Sequence, residues 1–196
     1  MLLSINEWGA LDLYQIQQLH FASIKTARRR MEILAESKKV NRIRPSIDQT
    51  YNYFIGKRPA QLEHRVGTNY ARLKLTMNLP WWEKLHSWEY EPQYYDILRP
   101  DGFIAIKNSE RNEMRFAFIE FDRGFNPFDK VEKYNELFKS GGYKQSWWAP
   151  LAIKRFPIVI VISEDVERAQ KKYKDRKDCV EFQFLDYHLI RSEYKC

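Results

Sequence analysis

The run Phe156-Pro157-Ile158-Val159-Ile160-Val161-Ile162 constrains this chain more than any other stretch. Consecutive β-branched residues favour an extended backbone, and a strand apolar on both faces needs cover on both sides. This predicts an interior strand of an α/β sheet with helices packed over it. Downstream, Ser163 is expected to cap a charged helix from Glu164 to about Lys174, with Arg168, Lys171 and Lys172 on its basic face. Val180–Leu185 then reads as an edge strand. Upstream, Asn126 as N-cap and Pro127 at the first helical position predict a helix to about Lys139. Its apolar positions are Val131, Tyr134, Leu137 and Phe138, and Ser140-Gly141-Gly142 ends it. The loop Tyr143–Pro150 carries Trp147 and Trp148, placed either to stack bases or line a cleft, or to fill the core.

Two further strands precede that helix. Arg99-Pro100-Asp101-Gly102-Phe103-Ile104-Ala105-Ile106 and Phe116-Ala117-Phe118-Ile119-Glu120-Phe121-Asp122-Arg123 are short, apolar and bounded by turn residues. Paired as a hairpin through residues 107–115, they bring Asp101 alongside Glu120 and Asp122, which share a strand face at i and i+2. Three converging carboxylates repel one another unless a proton or cation sits among them. Mg²⁺ or Mn²⁺, with oxygen ligands from Asp101, Glu120 and Asp122, is the expected cation. Glu89 and Glu91, on one face of the strand-like run Trp88–Pro92, are second-tier additions to that cluster. The plainer alternative is that these acids only end two strands at a solvent-facing turn.

A Pro-Asp on one strand followed by Glu-x-Asp on the next resembles the PD-(D/E)XK nuclease superfamily. Asp122 stands where that superfamily usually carries lysine. The resemblance implies a mixed-sheet α/β fold, hydrolysis of DNA phosphodiester bonds, and catalytic roles for Asp101, Glu120 and Asp122. Lys130 and Tyr134, four residues apart, share a helix face. They match the superfamily's helix after the second catalytic strand, so Lys130 is expected to reach in and replace the missing lysine. The alternatives are an exposed Lys130 and a Tyr134 that only packs on the sheet.

The first third of the chain is built differently. Of a net charge of +7, residues 1–60 carry +5, with ten Lys/Arg against five Asp/Glu. Leu2–Trp8 reads as a short helix stopped by Gly9, and Asp12 as the N-cap of a helix Leu13–His20. Ser23 is expected to cap a third helix, from Ile24 to about Ser37, that displays Lys25, Arg28, Arg29 and Arg30. Val40–Pro45 and Tyr51–Ile55 follow as two β-segments, with Arg42 and Arg44 alternating on the first and Lys57-Arg58 after the second. Two helices joined by a tight turn and followed by a basic hairpin are the plan of a winged helix-turn-helix on double-stranded DNA. A protein-contact module is the alternative. Ala60–Met77, with Leu62, Val66, Tyr70, Leu73 and Met77 at helical spacing, is expected to bridge the modules and to offer a homodimer face; its His64 reads as structural.

Taken in order, the basic winged helix, Trp88 before Pro100-Asp101, Glu120-x-Asp122-Arg123-Gly124, and Lys130-x-x-x-Tyr134 are together similar to the replication-relaxation family of mobile elements. That resemblance implies a DNA-binding protein of a plasmid or phage acting in DNA replication or relaxation, with metal-dependent nicking as the catalytic reading. A non-catalytic regulator of transcription or replication with a degenerate nuclease fold is the alternative, and a protein-only adaptor a third.

The expected fold is therefore α+β or α/β: a DNA-binding domain over residues 1–58, a bridging helix over 59–80, and a restriction-endonuclease-like domain over 81–196. A hydrophobic content of 44% argues against disorder. No apolar run reaches membrane-spanning length, so no membrane association is expected. Cys179 and Cys196 match no metal spacing and argue against a disulfide framework, which points to the cytoplasm. No phosphate-loop signature is present, and no small-molecule cofactor is expected.

Overall fold

The computed structural model describes residues 1–94, 96–124, 128–152, 155–171, 173 and 179–195. Among these the chain is a mixed α and β protein with seven α-helices and eight strands in two sheets. It divides into two compact units, Met1–Leu73 together with Leu189–Cys196, and Lys74–His188. The division runs through the helix expected to bridge the modules. It also places the last residues in the first unit, whereas the expected boundaries put them in the second.

In the first unit, helix α1 (Leu2–Trp8) ends at Gly9, whose φ of 77° lies in the left-handed region that favours glycine. Strand β1 is the two-residue stretch Leu11–Asp12. Asp12 then caps helix α2 (Leu13–His20): its carboxylate accepts from Gln15 N, and the Gln15 side chain accepts from Asp12 N, a reciprocal capping box. Ser23 caps helix α3 (Ile24–Glu36) by accepting from Thr26 N. Ala27, Met31 and Leu34 form the buried stripe of α3, as apolar residues at helical spacing should. Strands β2 (Asn41–Ile43) and β3 (Asn52–Phe54) are shorter than the β-segments expected, and β1 joins them in a three-stranded antiparallel sheet of order β1-β3-β2.

Helix α4 (Leu62–Thr76) buries Leu62, Val66, Tyr70 and Leu73 within the chain, leaving Met77 beyond its end as the exposed member of the face expected to dimerise. Asn69 donates to the carbonyls of Trp8 and Ala10, and Tyr70 OH donates to Asp12 Oδ2 at 2.7 Å. Arg191 Nη2 lies 3.9 Å from the same oxygen, so the buried carboxylate is faced from three elements. Burial lifts the Asp12 carboxyl above its ordinary value against these partners.

The second unit holds a five-stranded sheet of order β4-β5-β6-β7-β8. Strands β4 (Glu83–Tyr90), β5 (Gly102–Asn108) and β6 (Glu113–Asp122) are antiparallel, whereas β6, β7 (Ile158–Ser163) and β8 (Phe182–Asp186) are parallel. The two parallel crossovers carry helices α5 (Val131–Ser140) and α6 (Val166–Lys171), as parallel neighbours require. The β-branched run is β7, buried between β6 and the edge strand β8. One sheet face carries Phe103, Phe118, Val159 and Val161, covered by Val131, Tyr134, Leu137 and Trp148.

Two expectations for the second half of the chain are corrected. Ser163 is the last residue of β7; the cap of α6 is Asp165, whose carboxylate accepts from Arg168 N at 3.0 Å. Ser163 instead accepts from Asp165 N and donates to Asp122. After β8 the chain forms a further helix, α7 (Tyr187–Glu193), where the sequence pattern predicts no element. The Asn126–Pro127 cap and Lys172 lie outside the described residues.

Candidate functional site

The β5–β6 register sets the site. Gly102 pairs with Ile119, so the next residue outward, Asp101, arrives beside Glu120. Phe121 N donates to Asp101 Oδ2 at 2.7 Å and fixes that carboxylate at the mouth of the strand pair. Strand alternation points Glu120 to the face that α5 covers. There Tyr134 OH donates to Oε1 and Lys130 Nζ donates to Oε2, both at 2.6 Å. Lys130 Nζ also reaches the Arg99 carbonyl at 3.2 Å and lies 3.7 Å from Asp101 Oδ1. The i, i+4 spacing therefore delivers two different side chains to the two oxygens of one carboxylate.

Asp122 is separated from this group by its hydrogen bonds. Its Oδ1 accepts from Gly124 N at 3.1 Å and its Oδ2 from the Ser163 hydroxyl at 2.7 Å. The expected three-carboxylate cluster is thus a pair, Asp101 and Glu120, with Lys130 beside both. Among the described residues no group of three or more carboxylate, histidine or cysteine side chains is arranged to hold a metal ion. Of the second-tier acids, Glu89 accepts from Trp147 Nε1 and Glu91 pairs with Arg99.

The electrostatics follow from burial. Glu120 is 2% exposed, and burial, then the nearby Asp101 carboxylate, lifts its carboxyl well above the ordinary value while Lys130 and Tyr134 hold it back. Burial alone would lower the Lys130 ammonium, but Glu120 and Asp101 overcome it and raise the group above its usual value. Tyr134, buried and against Glu120, is raised well above the ordinary phenol and stays a neutral donor. Burial and the Asp101 charge thus work against the Glu120 carboxylate, and the hydrogen bonds from Lys130 and Tyr134 support it.

The residue set can be tested against a divalent ion. Three oxygens, Glu120 Oε2, Asp101 Oδ1 and Arg99 O, face the Lys130 ammonium. Two carboxylates completed by water suffice for Mg²⁺. Asp101 and Glu120 therefore fit as ligands only where the ammonium yields its place, and Asp122 would first have to leave its two donors.

In the first unit, Lys25, Arg28, Arg29 and Arg30 are exposed on α3, outside its buried stripe. Arg42, Arg44, Lys57 and Arg58 are exposed on and after the β2–β3 hairpin. Arg42 and Arg44 lie over the Tyr51 ring, at 4.7 and 5.7 Å from its centroid, and Arg44 Nε donates to Gln49 O. Stacking on Tyr51 orders two long cationic side chains that would otherwise be mobile.

Sequence reasoning misses Ser163 and the Arg99 carbonyl as members of these networks. The β-branched run ending at Ser163 carries a signal for the first; a backbone carbonyl carries none. Comparison with known proteins finds no protein family, no curated protein and no solved structure that matches this chain.

Proposed function

We propose that this chain is a DNA-binding protein of the replication-relaxation type, serving a plasmid, phage or other mobile element. In this reading the first unit is a winged helix-turn-helix and the second a PD-(D/E)XK-like domain. The observation that carries it is the exposure of all eight cations on α3 and the hairpin that follows. Lys25, Arg28 and Arg29 lie in the first turns of α3, where a recognition helix meets base edges, and Arg42 and Arg44 are placed to meet phosphates.

The catalytic part of the proposal rests on Lys130. A carboxylate pair at a strand end and a lysine 2.6 Å from one of them supply the groups that phosphodiester hydrolysis uses. Held by Asp101 and Glu120, Mg²⁺ or Mn²⁺ would acidify a bound water and take up charge on the phosphate. Lys130 would offset charge developing on the phosphate, and Tyr134 orients Glu120 throughout.

The second reading, a non-catalytic regulator of a replication origin or operator, is favoured by a different observation. The ammonium already occupies the space between the carboxylates and offsets one of their charges, and Asp122 is committed to Ser163 and Gly124. Incubation with supercoiled plasmid at varied Mg²⁺ and Mn²⁺ separates the two. Nicking that needs metal and is lost in Asp101→Asn, Glu120→Gln and Lys130→Gln, with duplex binding intact, supports the nuclease. Duplex binding without cutting under any metal supports the regulator, and absence of duplex binding at low salt sinks both.

A further inference from the structure

The sheet face that bears Asp101 and Glu120 also carries an aromatic platform. Trp147 and Trp148 are adjacent, yet they do opposite things: Trp148 is 1% exposed in the core, whereas Trp147 is 45% exposed. Trp147 is nevertheless held in place. Its Nε1 donates to Glu89 Oε1 at 2.9 Å, and its ring stands edge-on to Phe103 at 6.3 Å and to Phe116 at 6.0 Å. The exposed His86 ring lies beside it at 5.8 Å. A large apolar ring left partly in water, yet fixed by a hydrogen bond, is pre-ordered to meet a partner.

A second observation points to the charge of what it meets. Lys84 on β4 pairs directly with Lys107 on β5. Strand alternation places Lys107 on the face of Phe103, two positions beyond Ala105, and Ala105 is opposite Phe116. Two lysines directly opposite each other repel, and this pair lies one step along the sheet from the Trp147 layer. An anion between them relieves the repulsion. In the other direction the same face leads from Phe103 to Asp101, again by two residues. Each such step is about 6.6–6.8 Å along a strand.

We propose that Trp147, with His86 beside it, stacks an unpaired base of single-stranded DNA, and that Lys84 and Lys107 take a backbone phosphate of the same strand. Glu89 is the one acid of this set and is committed to the Trp147 indole. The spacing suits a polymer that alternates flat apolar rings with phosphates. The inference rests on the DNA-acting reading and names its substrate as an unpaired segment. That is what a protein acting at an opened origin or a nick would encounter.

The test uses the full chain with a fluorescently labelled oligothymidylate and, separately, a duplex, each titrated at several salt concentrations. Trp147→Ala is expected to weaken oligothymidylate binding about five- to a hundred-fold and to leave duplex affinity unchanged. Trp147→Phe keeps a stacking face and is expected to restore most of the affinity. Lys84→Gln with Lys107→Gln should flatten the salt dependence for the single strand alone. Unchanged single-strand affinity in Trp147→Ala, or an equal drop on both DNAs, overturns the proposal. Tighter binding to the matching RNA oligomer overturns the choice of DNA. A wild type that binds duplex but no oligothymidylate sinks this inference alone, whereas one that binds neither removes the DNA-acting reading beneath it.

Discussion

Lys130 and Glu120 meet at 2.6 Å although one begins a helix and the other lies near the end of a strand, and Asp101 is 3.7 Å from the same ammonium. Removing the lysine leaves two carboxylates facing each other in a shielded space. Lys130→Ala is therefore expected to destabilise the protein by about 3 kcal/mol, the lower part of the range for breaking a buried pair, because the Lys130 side chain keeps 27% of its exposure. Chemical denaturation at pH 8 measures this. The deficit should shrink as pH falls, because Glu120 takes up a proton above its ordinary value and the repulsion disappears.

Glu120 also gives the wild type a pH signature. Its folded value lies above the ordinary 4.5, so its contribution to stability is complete below that pH and is lost as pH rises through the folded value. Glu120→Gln abolishes this loss. The stability of the variant minus that of the wild type should therefore climb in the variant's favour from pH 4.5 upwards, read from urea midpoints at matched salt. A difference that stays flat with pH would show that the carboxyl titrates like a surface group.

Asp12 links three parts of the first unit, and its substitutions separate those roles. Asp12→Ala removes the α2 cap and the acceptor that Tyr70 OH donates to, for an expected cost of about 2–3 kcal/mol. Asp12→Asn keeps an acceptor for Gln15 N and should cost less. Tyr70→Phe removes the 2.7 Å hydrogen bond to Asp12 while keeping the cap, and should cost about 1 kcal/mol. Thermal or urea unfolding of the three variants gives the ranking directly.

On duplex DNA, Arg42→Ala, Arg44→Ala and Arg58→Ala are each expected to lower the slope of log affinity against log salt by about one for every phosphate left without its cation. Arg28→Ala, in the half of α3 that meets base edges, should lower the preference among sequences more than the slope. Fluorescence anisotropy across a salt series distinguishes the two. Wild-type slopes in all four variants would remove α3 and the hairpin as the DNA-facing surface.

Gly102 is a packing requirement of the site. A Cβ there would stand 3.1 Å from the Trp88 ring and 3.4 Å from Ile119 Cβ. Gly102→Ala should cost about 1–3 kcal/mol through overpacking, visible as a lower denaturation midpoint. Any metal-dependent nicking should fall with it, because Asp101 is the adjacent residue.

Features encoded by neighbours in sequence were legible, and those decided by distant partners were not. Asp12 and Ser23 are caps because a cap acts on backbone within three residues. The approach of Lys130 to Glu120 follows from strand parity and helix spacing together. Strand parity also places Asp122 on the Glu120 face, but it cannot reveal that Ser163, on the neighbouring parallel strand, captures its carboxylate. β1 is two residues long and exists through its pairing with Asn52 and Tyr53, which no local pattern announces. The contrast between Trp147 and Trp148 is of the same kind, since adjacent identical residues differ only in what the rest of the fold lays over them.

The composition of the first unit has a consequence for how the protein is made. Leu189–Cys196 belong with Met1–Leu73, and Arg191 and Tyr194 face Asp12 and Tyr70. On the ribosome, the first unit must wait for the whole intervening segment to be synthesised before it can close around Asp12. At roughly 5–20 residues per second that delay is on the order of ten seconds. During that time the nascent chain carries Asp12 without Arg191, so a message cut short after the second unit would yield a product whose defect lies at the opposite end from the missing residues.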